Sequence, residues 1–87
     1  MDKTRFLKLS ATEIDNLEFD DFTVTELKEI ISETILSDRD RNIAELRFIK
    51  LLSHEKIASK LGYDKRTIYS RLSIIKKKLK KTIKQML

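Results

Sequence analysis

Eighty-seven residues make one small domain, which buries only about 60% of the surface its unfolded chain exposes. One glycine, no proline and a composition rich in lysine, leucine, isoleucine and glutamate leave little material for hairpin turns and point to an all-α fold. The absence of cysteine and the single histidine exclude a disulfide framework, a thiolate or histidine-cluster metal site and a cysteine nucleophile. The net charge of +5 hides a lopsided distribution, because residues 1 to 40 hold eleven acids and five bases, net −6, whereas residues 41 to 87 hold three acids and fourteen bases, net +11.

A basic half of this size suits a polyanion, with nucleic acid ahead of an anionic membrane surface. No apolar run approaches the roughly 18 residues of a membrane span, and MDKTRFLKLS lacks the apolar stretch of a signal peptide. The expectation is a cytoplasmic protein with no membrane association, no cofactor and no enzymatic activity.

In chain order, residues 1 to 22 read as an acidic N-terminal arm. Ser10 to Phe22 carries five acids and no base. Its apolar residues Ile14, Leu17, Phe19 and Phe22 follow no clean period, which leaves a loop or one short helix pinned to the domain, or an acidic flap that imitates nucleic acid or greets a partner. The domain proper spans 23 to 87. Thr23 and Glu26 have capping-box spacing, and Val24, Leu27, Ile30, Ile31 and Ile35 form one stripe, so a helix is expected over 24 to 36. Ser37 and Asp40 repeat the start signal for a second helix ending near Leu51, with Ile43, Leu46, Phe48 and Ile49 as its apolar residues.

Ser53 opens a third, short helix bearing Ile57, Ala58 and Leu61, stopped by Gly62. Asp64 is placed to cap a fourth helix, long and basic, whose stripe of Ile68, Leu72, Ile75, Leu79, Ile83 and Met86 runs to the end of the sequence. That seam either packs on the helix at 24 to 36 or pairs with a second copy as a homodimer.

Residues 54 to 72, HEKIASKLGYDKRTIYSRL, carry the functional spacing. Two helices joined through a tight, steep turn need a small residue at their approach, one tolerant of positive φ in the turn, and a branched apolar residue beyond it. Ala58, Gly62 and Ile68 supply these in order, which turns the polar positions of the fourth helix outward. Lysine, arginine and hydroxyl side chains on such a helix suit the donor and acceptor pattern of the DNA major groove. Lys65, Arg66, Tyr69 and Ser70 are the candidate base contacts. The candidate phosphate contacts are Arg47, Ser53, His54, Thr67, Arg71, Lys76, Lys77 and Lys80. His54 reads as an exposed first-turn residue with no partner cluster for catalysis, Phe48 as core, and Tyr63 as a turn residue covering the core.

The segment SDRDRNIAELRFIKLLSHEKIASKLGYDKRTIYSRLSIIKKKLKK resembles region 4 of RNA polymerase sigma factors, particularly the extracytoplasmic-function group, over about residues 36 to 81. Leu36, Arg39, Arg41, Leu46, Arg47, Phe48, Leu52, Ser53, Ile57, Ala58, Leu61, Gly62, Thr67, Ile68, Ser70, Arg71, Leu72 and Leu79 stand in register with that pattern. Leu51 replaces its usual glycine, Lys56 its glutamate and Asp64 its serine.

The resemblance implies a helix-turn-helix whose reading helix starts at Lys65 and enters a promoter element, with Arg47 and the Ser53 region on phosphates. It also implies a contact with the RNA polymerase flap. Residues 1 to 35 do not resemble the promoter-melting region of a complete sigma factor. The implied type is therefore a region 4-like module alone, as in small regulators of phages and mobile elements. The leading expectation is a sequence-specific DNA-binding transcriptional regulator. The alternative is a protein-interaction module that uses the sigma-like surface to occupy RNA polymerase or another regulator.

Overall fold

The computed structural model describes Phe19 and residues 22 to 86. The rest of the acidic arm, including Ile14 and Leu17 and the choice between loop and helix there, lies outside the described residues.

The described residues form an all-α domain without strands, as the composition requires. Helix α1, Val24–Glu33, starts at the expected capping box: Thr23 Oγ1 accepts from the Glu26 amide at 3.1 Å, and Glu26 Oε1 accepts from the Thr23 amide at 2.8 Å. It stops three residues short of the expected end because Thr34 turns extended. Arg41 then donates to the carbonyls of Ile31 and Thr34 at 3.1 and 3.3 Å, satisfying acceptors that the helix end leaves open. Two members of the expected stripe fall off the core: Ile35, beyond the helix, is 92% exposed, and Val24, in its first turn, is 49% exposed.

Helix α2, Asp38–Ala44, begins at Ser37, whose hydroxyl accepts from the Asp40 amide, and continues as a π-helical turn, Glu45–Ile49. The Leu52 amide closes this end by donating to the Leu46 carbonyl at 3.0 Å. The closure forces Leu51 to φ 58°, a left-handed conformation in which a β-carbon crowds the backbone.

Helix α3, His54–Leu61, is capped by Ser53 and ends at Gly62, where φ is 75° and the Tyr63 amide donates to the Ala58 carbonyl at 2.9 Å. A β-carbon on Gly62 meets nothing within 4 Å, so the positive φ and not close packing selects glycine. Helix α4, Lys65–Gln85, follows after a short turn. Asp64 occupies its N-cap position, but contrary to expectation its side chain makes no capping bond.

Helix α4 is the spine, packing against α1, α2 and α3. Ile68, Leu72, Ile75, Leu79 and Ile83 are buried against Ile30 and Ile31 of α1, Ile43 of α2 and Ile57 of α3 as one core. The C-terminal seam is therefore covered by this chain's own helices, the first of the two arrangements its spacing allowed. Phe19 and Phe22 are also buried, and the Phe19 ring lies 5.1 Å from that of Phe48. A boundary drawn after residue 22 thus cuts through the core.

One polar clasp is built into this core. Asp40, whose side chain is 1% exposed, accepts from Nε and Nη2 of Arg71, with Nε at 3.0 Å, and this tie joins the first turn of α2 to α4. The hydrogen bond from Arg71 holds the Asp40 carboxyl below its ordinary value of 3.8. A group depressed in the folded state stabilises above its unfolded value and loses that contribution as the pH falls through the folded one. Asp40→Ala, which strands Arg71, is expected to cost about 3 kcal/mol by urea unfolding at neutral pH, and its deficit against wild type should shrink as the pH drops below 3.8. Leu51 is 70% exposed and loses little packing when truncated. Leu51→Gly is expected to raise stability by about 1 kcal/mol through relief of the left-handed backbone, read as a higher melting temperature.

Candidate nucleic-acid interface

Burial of the α4 seam decides where the other side chains of that helix go. With Ile68 fully buried and Leu72 nearly so, Lys65, Arg66, Tyr69 and Ser70 all lie exposed. Tyr69 is half-exposed and held by two neighbours. The His54 ring stacks on it at 4.1 Å with an interplanar angle of 8°, and Lys65 Nζ stands 5.8 Å from its centroid. Lys65 Nζ also donates to Glu55 Oε1 at 2.8 Å, an exposed ion pair between α3 and α4. The four base-contact candidates therefore form one continuous surface, two of them braced from α3.

The phosphate candidates divide. Ser53 and His54 sit together at the start of α3, and Arg47 reaches the same place from the π-helical turn, its Nη1 donating to the Leu52 carbonyl at 3.1 Å. Lys76 and Lys77 are exposed along α4, whereas Lys80 and Thr67 are half-buried. Arg71 departs from the expected role. Its guanidinium is committed to the buried Asp40, although the Arg71 side chain stays 25% exposed, and releasing it leaves a buried carboxylate without its strongest partner. Arg71 therefore belongs to the scaffold.

Lys65, Tyr69 and Lys76 are separated by four and seven residues, so they fall on one line along α4. His54 lies against that line, facing Lys65, Lys76 and Arg47. Burial first, and then the fields of Arg47, Lys76 and Lys65, hold its imidazole below the ordinary 6.5.

Sequence reasoning missed three partnerships: Asp40 with Arg71, His54 with Tyr69, and Glu55 with Lys65. Only the first left a trace, since an acid that falls on the apolar side of a capped helix needs a cation, but nothing local says which of nineteen bases supplies it. Among the described residues no group of acids and histidines is arranged to hold a metal ion, and no helix is long and apolar enough to cross a membrane. No protein-family model, curated protein or solved structure matches the chain.

Tyr69→Ala uncovers the imidazole face of His54. Its proton resonance, the only histidine signal of the chain, should lose the upfield ring-current shift of the stack. Its titration midpoint should move up toward 6.5, because removing the stack relieves the burial that chiefly depresses it. An NMR titration of both proteins checks this.

Proposed function

We propose that this chain is a DNA-binding transcriptional regulator that reads the major groove with the first turns of α4. One observation carries the reading: Lys65, Arg66, Tyr69 and Ser70 are all exposed on a helix whose opposite side is locked into the core, directly after a tight left-handed turn at Gly62. Such a face offers guanidinium and ammonium donors to guanine O6 and N7, and hydroxyls to several base edges. The basic residues beyond it, Lys76 and Lys77, continue along the same helix and neutralise phosphates without reading sequence. Arg47, Ser53 and His54 grip the backbone from the side of α3, with Thr67 and Lys80 at the margins; Arg71 is removed from the contact set.

The reading extends to a sigma region 4-like module. The backbone at Leu51 supports that register, because the residue in left-handed conformation is the one that stands where the pattern has glycine. A lone reading helix covers few base pairs, so the proposal includes a second tether, either a homodimer or a hold on RNA polymerase. The dimer does not use Ile75, Leu79 and Ile83, which are already covered.

A protein-interaction role has a separate footing. An open apolar groove lined by Phe22, Val24, Leu27, Phe48, Ile49 and Leu51 lies on the α1 side of the molecule, with Leu51 and Val24 well exposed. A regulator that binds RNA polymerase or another regulator through this groove contacts DNA only incidentally.

Selection of bound oligonucleotides at physiological salt, with protein mass measured in the same buffer, separates the two. A DNA reader yields a defined motif whose palindromy matches its stoichiometry; the interaction module yields no motif and is retained by polymerase. Arg66→Ala should relax the motif at about one position at a cost of roughly 1 to 3 kcal/mol. Lys77→Ala should weaken binding to all sequences and reduce the salt slope by about one. Unchanged binding to the selected site after loss of both Lys65 and Arg66 overturns the assignment of the reading helix.

A further inference from the structure

His54 is the one histidine of the chain and the first residue of α3. It lies on the edge of the proposed interface, where its surroundings are unusual. The imidazole is flat against Tyr69 of α4, so one face is committed to stacking while its ring nitrogens, which lie in the ring plane, are directed away from Tyr69. Arg47, bonded to the Leu52 carbonyl two residues before His54, acts on it from the π-helical turn, and Lys65 and Lys76 act on it from the line of α4 that carries Tyr69. Glu55, the neighbouring acid on its own helix, is engaged by Lys65. Burial first, and then these three cations, disfavour the protonated imidazole in the free protein, and an anion seated among the cations opposes the second of these effects.

We infer that His54 is a proton-linked phosphate contact: together with Arg47 and Lys76 it receives one phosphate of duplex DNA, and in doing so it takes a proton from solvent. The inference rests on the DNA-binding reading above and adds its regulation by pH. A neutral imidazole has one donor; the protonated ring has two and a full positive charge, which strengthens both its bond to phosphate and its stack on the electron-rich Tyr69 ring. The sign follows from linkage. A group whose bound-state value lies above its free-state value adds nothing above both. Its contribution grows as the pH falls through the bound value and is complete below the free one. Affinity therefore rises on acidification, across the range where histidine is the only side chain that ordinarily titrates.

The test measures binding to a mixed-sequence duplex of about twenty base pairs, long enough to span the phosphate contacts of one domain. Its ends are 5′-hydroxyl, so that no phosphate monoester titrates in the window. Fluorescence anisotropy at constant ionic strength compares wild type with His54→Gln between about pH 8 and pH 5.5, the range around the ordinary histidine value. Wild-type affinity is expected to rise about tenfold, the change that corresponds to raising one titration midpoint by one pH unit, while His54→Gln stays flat. The His54 resonance of the wild-type protein, which needs no variant, should titrate below 6.5 when free and at a higher pH with duplex bound. Binding that is equally strong at both ends of the range, or an equal rise in His54→Gln, overturns the proton link and leaves DNA binding standing. Absence of binding to the duplex at every pH overturns the DNA-binding reading itself.

Discussion

The molecule depends on one constraint: α4 has a single apolar seam, and three other helices are built against it. A helix of 21 residues runs about 31 Å at 1.5 Å per residue, most of the domain's 39 Å length. Its seam of Ile68, Leu72, Ile75, Leu79 and Ile83 repeats at three and four residues, so burying it leaves almost no freedom of rotation about the helix axis. The exposed face is the complement of that seam. Packing energy alone, with no contribution from any functional residue, fixes the direction in which Arg66, Tyr69 and Ser70 point.

Polar ties refine what the seam sets. Near its N-terminal end, Arg71 joins the helix to the buried Asp40 of α2. Near its C-terminal end, the hydroxyls of Thr82 and of Thr34, just beyond α1, lie 2.6 Å apart, and each also reaches a carbonyl four residues back. Greasy surfaces tolerate sliding by part of a residue; a bidentate pair between a planar guanidinium and a carboxylate does not. Asp40 sits in the first turn of α2, where the helix dipole also favours its charge. Ala58 adds the third restraint, since its small buried side chain lets α3 lie close to the spine.

How much of this was legible follows the range of each interaction. Most signals that act within four residues match the structure, namely the capping box at Thr23 and Glu26, the serine caps at 37 and 53, the left-handed stop at Gly62 and the seam of α4; the Asp64 cap is the local signal that does not. Local chemistry failed where a neighbour in space decided the outcome. Ile35 fits the stripe of α1 by periodicity, yet the chain leaves the helix at Thr34, whose hydroxyl meets Thr82 forty-eight residues away. The π-helical turn at 45 to 49 and the strained Leu51 carry no composition cue, because leucine there is chosen against its backbone preference. Arg71 looked like one more base of the reading helix; its true partner lies thirty-one residues back. The candidate surface itself was legible because it is what remains after the seam is buried, whereas the bracing of Tyr69 by His54 and of Lys65 by Glu55 needed the approach of α3 to α4.

If the proposed DNA-binding reading holds, those braces bear on how a domain with so much positive charge would discriminate between sequences. A flexible lysine pairs with any phosphate within reach, and a surface of free lysines therefore binds every sequence alike. Lys65 instead is paired with Glu55, and the Tyr69 ring is stacked by His54, with the Lys65 ammonium 5.8 Å from its centroid. An exposed ion pair is weak and screened by salt, so a ligand group that fits exchanges with it easily. In the proposed complex, a group that does not fit would leave Glu55 facing a phosphate, and that juxtaposition is repulsive. On the DNA-binding reading proposed above, Glu55 would act as a selector, lowering the general attraction of this surface for a polyanion while its pairing holds Lys65 in one arrangement.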